Sequence, residues 1–207
     1  MFQLTRAYLV ISLSLLSLFA CKSYQVDGEL VSKDVEKTLV LPYFNETGFE
    51  YLYSGKIEAY GNSLSGILVV KKISDSQKRV ALLSDFGNTL MDFKIKNGVA
   101  EVNYILDDLN KKIIVKKLKK YFELLVNSNY QVEAIYKKDG NNIYTSEIQS
   151  KRVKLHENAS SAIQQVKQVS RLKEKVEIEY FSSSEIADSI HFKSNEIPFE
   201  MKYYLRE

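Results

Sequence analysis

From Tyr51 to Leu106 apolar and polar residues alternate with a period of two, broken only by short runs of Gly, Asn, Asp and Ser. Successive side chains of a strand point to opposite faces, so this period specifies strands, and the breaks specify the turns between them. "YLYSGKIEAYG" places Tyr53, Gly55, Ile57 and Ala59 on one face, and "SLSGILVVKKI" follows a turn at Asn62-Ser63. "DSQK" and "SDFGNT" read as hairpin tips on either side of "RVALLSD". "TLMDFKI" alternates Met91, Phe93 and Ile95 against Leu90, Asp92 and Lys94. Asn97-Gly98 then forms a hairpin turn, since Asn-Gly is the pair that best accepts two positive φ angles in succession. "VAEVNYIL" closes the meander with Ala100, Val102, Tyr104 and Leu106 on one face. "GILVV" and "VALL" are apolar on both faces, as strands covered on both sides are.

After Leu106 the period changes. In "DDLNKKIIVKKLKKYFELLVN" the residues Ile114, Leu118, Phe122 and Leu125 recur at helical spacing, widened by Ile113, Tyr121 and Leu124, with lysines on the other side. Asp107 or Asp108 is the expected N-cap and "NSN" at 127–129 the stop. "YQVEAIYKK", "DGNN" and "IYTSEIQSKRVKLHE" read as a second hairpin. Residues 159–173 fit two patterns: Ile163, Val166, Val169 and Leu172 suit a helix, while "QQVKQVS" suits a polar edge strand. The clean alternation that follows in "KVEIEYF" favours the strand. "PFEMKYYLRE" is the last strand, alternating Phe199, Met201, Tyr203 and Leu205.

The N-terminal segment has a different character. One positive charge lies within residues 1–6, and Ala7 to Ala20 carries none. Those 14 uncharged residues are too few for a membrane span, which takes about 20, and they suit the h-region of a cleaved signal with Ala20 at the cut. "Leu18-Phe19-Ala20-Cys21" resembles the bacterial lipobox, with Phe19 where a smaller or aliphatic residue is usual. That resemblance implies cleavage after Ala20 and lipidation of Cys21 as the new N-terminus. Each buried CH₂ of an anchor contributes about 0.8 kcal/mol, so several acyl chains hold a soluble domain firmly. Cys21 is the sole cysteine, so its modification leaves no thiol for disulfides, catalysis or metal. Lys22 follows where many Gram-negative bacteria place an inner-membrane-retaining Asp, and no acidic export cluster is present. By those sorting rules the protein faces the periplasm from the outer membrane. The expected organisation is a signal peptide at 1–20, a lipid-anchored tether at 21–48, and one domain at 49–207.

The sequence carries little catalytic chemistry. The net charge of +3 gives no footprint for nucleic acid. His156 and His191 stand in neither a metal-ligand spacing nor a nucleophile motif and read as exposed strand residues. Asp107-Asp108 reads as a cap rather than an acid/base pair. "KKIIVKKLKK" offers either a solvated lysine face or a membrane-surface helix. No enzyme, catalytic residue, metal or cofactor is expected.

Taken with the helix that follows, "YSGKIEAYGNSLSGILVVKKISDSQKRVALLSDFGNTLMDFKIKNGVAEVNYIL" resembles the LolA/LolB group of lipoprotein carriers and receptors. More narrowly it is similar to the LolB-like lipoproteins of Bacteroidota. The best-matching part is "RVALLSDFGNTLMDF", with its arginine, leucine run and short loop carrying an apolar residue before Gly. The chain lacks the tryptophans often found in LolB, and its last third matches only by pattern. The resemblance implies a mainly β (α+β) fold: a curved, incompletely closed antiparallel half-barrel whose open, hydrophobic face is covered by helices. It implies a cavity for acyl chains of lipoproteins or related lipids, which this chain would help place in the outer membrane. Ile57, Leu68, Val70, Leu82, Met91, Phe93, Val102 and Tyr104 would line it, and Leu118, Phe122 and Leu125 would form a helical lid. Phe86 would engage the bilayer. Membrane lipid, lipoprotein acyl chains and a soluble LolA-like periplasmic carrier are the implied partners of a monomer. The alternative is a non-catalytic assembly or interaction lipoprotein without transferable cargo, its 14 tyrosines serving contact surfaces.

Overall fold

Two antiparallel meanders with one helix between them build the molecule. The computed structural model describes residues 25–206. The first meander comprises β2 (Glu50–Ala59), β3 (Asn62–Ser74), β4 (Gln77–Leu83), β5 (Thr89–Lys96) and β6 (Val99–Ile105). A short 3₁₀ turn, Asp107–Leu109, leads into the helix α1 (Lys112–Leu125). The second meander runs β7 (Asn129–Lys138), β8 (Asn141–Ile148), β9 (Lys151–Glu157), β10 (Ile163–Val169), β11 (Glu174–Phe181), β12 (Ser189–Ser194) and β13 (Phe199–Leu205). Ahead of both lies β1 (Glu29–Val40). β13 pairs with β2 and β1 with β7, giving one 13-stranded antiparallel sheet in the order β1-β7-β8-β9-β10-β11-β12-β13-β2-β3-β4-β5-β6. β1 and β6 stand at its two edges, so the sheet is not closed.

The turns follow local chemistry. Asn97 (φ 50°) and Gly98 (φ 75°) make the expected two-residue connection, as do Asp139 and Gly140. Between β2 and β3 the turn is Tyr60-Gly61, two residues before the expected Asn62-Ser63. Residues 163–169 are strand, as the alternation of the next segment suggested.

Register carries one apolar layer across the sheet. Tyr53 opposes Leu68, Leu68 opposes Leu82, and Leu82 opposes Met91. On the other side Ile57 opposes Met201, which opposes Phe192, which opposes Ile178. All of these are buried, and each such side chain contributes about 1.5–3 kcal/mol. Gly55 and Gly66 face each other within this layer. A Cβ at Gly55 would lie 1.9 Å from the Lys202 carbonyl oxygen, and one at Gly66 2.2 Å from that of Leu83. Neighbouring backbone occupies the space of a side chain there, so only glycine fits.

Three expectations change. Helices were expected over the open face, but the described residues contain one α-helix. The segment expected to be tether through residue 48 instead contains β1, and Leu41, Tyr43 and Phe44 after it are buried in the core. β1 escapes a pattern search because nearly every residue of it is exposed; backbone pairing to β7 holds it, and its charges suit an edge. Asp107 and Asp108 belong to the 3₁₀ turn, while Lys111 holds the N-cap position of α1 without a side-chain cap.

Candidate functional site

The apolar face under α1 is filled by the protein's own side chains. Ile57, Leu68, Val70, Leu82, Met91 and Phe93 are buried in the core, as are Leu118, Phe122 and Leu125 of the helix. The rings of Phe93 and Phe122 meet with centroids 5.4 Å apart. Hollows of about 420–730 Å³ open elsewhere on the surface, and none of these is lined by the residues expected to line a cavity. Tyrosines fill much of the space: eight are buried, where the alternative without cargo would give them to contact surfaces. Tyr53 OH donates to Ala187 O (2.9 Å), Tyr180 OH donates to Leu125 O (2.9 Å), and Tyr121 OH pairs with Ser194 Oγ (2.6 Å). Tyr203 OH is buried without a partner among the described residues. Burial pushes its phenol far up, and the nearby Asp85 charge adds to this.

Two of the expected lining residues are misplaced. Val102 is 39% exposed, and Tyr104 is 46% exposed, turned outward by a register shift in the β5–β6 pairing. Val102 opposes the inward Phe93, while Tyr104 opposes Asp92, which lies on the other face. Two residues that share parity in the sequence thus stand opposite neighbours of opposite parity. Val102 also sits on the edge strand.

The helix is seated unevenly. Its fully buried residues begin at Leu118; over the first two turns the partly buried Ile114 packs on the core and Lys117 pairs with Glu196 (2.7 Å), while Ile113 is 71% exposed. The first turn has no acidic residue and no side-chain cap, and Lys111 and Lys112 lie beside the positive end of the helix dipole. The C-terminal end is clasped instead. Leu125 O and Val126 O accept Tyr180 OH and Lys78 Nζ (2.6 Å), satisfying carbonyls that a helix end leaves free. Glu123, buried, accepts the Ala100 N–H (2.9 Å) and pairs with Lys120 (2.7 Å), tying the helix to β6. Burial, with Lys72 nearby, lowers Lys78 to about 8.

Phe86, at 93% exposed, projects from the β4–β5 loop. The loop beneath it is ordered by hydrogen bonds. Ser84 N–H donates to Asn88 O (2.8 Å), Gly87 N–H to Ser84 O (2.9 Å), and Asn88 N–H to Ser84 Oγ (3.1 Å). Ser65 Oγ donates to Asp85. Below the loop, Arg79 grips Asp92 with two bonds of 2.9 and 2.7 Å across the hairpin. That places the arginine of "RVALLSDFGNTLMDF" as the brace of the hairpin that displays Phe86, a role that the alternation alone does not show. Leu106 N–H donates to Leu90 O (2.9 Å), so the chain entering the free end of α1 leaves from the loop's end of β5.

His156 and His191 are half-buried rather than exposed. His156 Nε2 is buried without a partner among the described residues, and burial, then Lys167 and Lys154, lower its pKa to about 4. Cys21 and Ala20 lie outside the described residues. No helix among the described residues is long and apolar enough to cross a membrane.

No protein-family model and no curated protein matches the sequence. Among solved structures the chain is similar to a LolA superfamily protein from Nitrosomonas europaea, with 10% identity and a TM-score of 0.54, over 80% of this chain and 86% of that one. A DUF1329 family protein from Desulfovibrio piger aligns at 7% identity over 79% and 86% of the two chains, with a TM-score of 0.41 too low to carry weight. The fold is LolA-like: a mainly β, unclosed antiparallel sheet with one helix.

Proposed function

We propose that this chain is a non-catalytic, lipid-handling envelope lipoprotein, allied to the LolB-like lipoproteins of Bacteroidota and anchored through Cys21 to the periplasmic face of the outer membrane. It takes acyl chains of lipoproteins or related lipids beneath α1, from a soluble LolA-like carrier, and passes them to the membrane as a monomer. The LolA-like fold supports this reading, and the uneven seating of α1 carries it. A helix clasped at its C-terminal end, and held over its first two turns by Ile114 and the Lys117–Glu196 pair alone, can lift from the end beside the Phe86 loop. An acyl chain entering there meets Leu118, Phe122 and Phe93, an apolar surface that needs no chemistry to hold it. Because these side chains pack against one another, uptake requires the helix to move. Native mass spectrometry of the protein purified without delipidation tests this directly. A non-covalent adduct of acyl-chain mass is expected, together with saturable uptake of a fluorescent fatty acid. An empty protein that refuses the probe would sink the reading.

The filled core favours a second reading, an interaction lipoprotein with no cargo. Capture of a specific envelope protein by a chain that carries and takes up no lipid is the result that selects it.

A further inference from the structure

The first half of α1 borders a groove of about 730 Å³ with a marked charge imbalance. Its helix wall brings Lys116, Lys117 and Lys120; its sheet wall brings Lys151, Arg152, Arg171 and Lys175 from the β8–β9 and β10–β11 turns and the strands beside them. Glu147 and Glu196 are the carboxylates in the lining. Glu196 serves Lys117 (2.7 Å) and Lys175 (3.1 Å), and Lys120 is taken by Glu123. Lys116, Lys151, Arg152 and Arg171 have no ion pair among the described residues. Lys151 is half-buried, and its pKa is lowered by burial first and then by Lys120, with the Glu123 and Glu196 carboxylates opposing the shift. The structure therefore holds cations together, partly out of water, with too few anions to balance them. Two apolar residues flank the groove. Ile113 in its lining is 71% exposed, and Leu172, between the lining residues Arg171 and Lys175, is 78% exposed. Single-sign charge beside exposed aliphatic side chains is the chemistry of an interface that is at once anionic and apolar.

We propose that this groove binds the phosphate headgroups of an anionic phospholipid bilayer, with Lys151 and Arg171 on the phosphates and Ile113 and Leu172 in the acyl boundary. A phosphate here adds counter-charge at Lys151, because the carboxylates near it, Glu123 and Glu196, are already shared with Lys120, Lys117 and Lys175. It also places negative charge near the uncapped, lysine-bearing start of α1, where the dipole favours it. This assignment does not depend on acyl chains under the helix: a protein that carries no cargo can still dock through the groove.

The test uses the full chain with vesicles of phosphatidylcholine, with or without phosphatidylglycerol. The readout is the difference between the two, so that any leader or anchor cancels. Each basic residue at an anionic surface contributes a factor of about five, so the Lys151→Gln/Arg171→Gln pair should reduce the phosphatidylglycerol-dependent gain about 25-fold. Lys94→Gln/Lys202→Gln changes net charge equally, but these lysines pair with Glu101 and Glu200 elsewhere, and the gain should fall less than about twofold. The chain has no tryptophan, so Leu172→Trp is a unique reporter whose emission should shift to the blue on anionic vesicles only. The gain should also fall between about 0.1 M and 1 M salt, as the Debye length drops from about 10 to 3 Å. Equal loss in both double variants would overturn the proposal. So would binding without a Leu172→Trp shift, or saturation by inorganic phosphate with no preference for anionic vesicles.

Discussion

Glu123→Ala asks whether α1 is a lid or simply part of the core. The carboxylate is 6% exposed, accepts the Ala100 N–H at 2.9 Å and pairs with Lys120 at 2.7 Å. Ala100 is fully buried, so truncating Glu123 leaves its N–H unpaired, which costs about 1–3 kcal/mol. The Lys120 pair adds only a few tenths, because that lysine is 37% exposed and solvent screens it. The total is about 2 kcal/mol, or roughly 30-fold in an opening equilibrium. Native-state hydrogen exchange separates the two cases, since local and global openings shift different amides. If α1 opens on its own, amides of residues 118–125 exchange about 30-fold faster while those of β3 to β5 barely change. Uptake of a fluorescent fatty acid should accelerate in step. Glu123→Gln keeps an acceptor for Ala100 and should show a smaller effect. Equal acceleration of helix and sheet amides would mean that the helix leaves only when the whole domain unfolds, and the lid reasoning would fail.

Phe86→Glu should leave the melting temperature unchanged, since the ring touches little of the fold. Membrane association should fall about 10- to 150-fold, matching the roughly 1.5–3 kcal/mol for burying a Phe; unaltered vesicle partitioning would remove the loop from the mechanism. Tyr203→Phe should be neutral or stabilising, because it deletes a buried hydroxyl without a partner, whereas Tyr180→Phe should lose about 1 kcal/mol by abandoning Leu125 O. Urea titrations of both check this, and a clear loss in Tyr203→Phe would show that its hydroxyl is bonded. His156 has a folded pKa of about 4, below the ordinary value near 6.5. Between those values the unfolded chain binds the extra proton, so stability is intact above about pH 6.5 and declines as pH falls towards 4. His156→Gln should flatten that limb, and parallel curves for the two proteins would refute the assignment.

Legibility tracked locality. Asn97-Gly98 and Asp139-Gly140 were readable because φ preference belongs to the residues themselves, and β2 to β5 because one covered face enforces the period of two. β1 was not readable: a strand exposed along nearly its whole length has no burial pattern, and its partner β7 lies about 90 residues away. Tyr104 was misassigned by a bulge, which is a property of pairing rather than of β6, and Val102 by the position of β6 at the sheet edge.

The sequence by itself determined a first β meander, an amphipathic helix after it, further strands beyond, and an apolar residue at the tip of the β4–β5 loop. Each follows from side-chain period and turn preference, which act over a few residues. The tertiary structure alone decided that the apolar face is filled by tyrosine and phenylalanine, since packing depends on residues far apart in the chain. It also decided that α1 is held most firmly at its C-terminal end, because that clasp consists of Lys78, Ala100 and Tyr180 reaching in from three strands. The basic groove has the same origin: lysines spread along the sequence gain their meaning when turns from distant strands meet beside the helix.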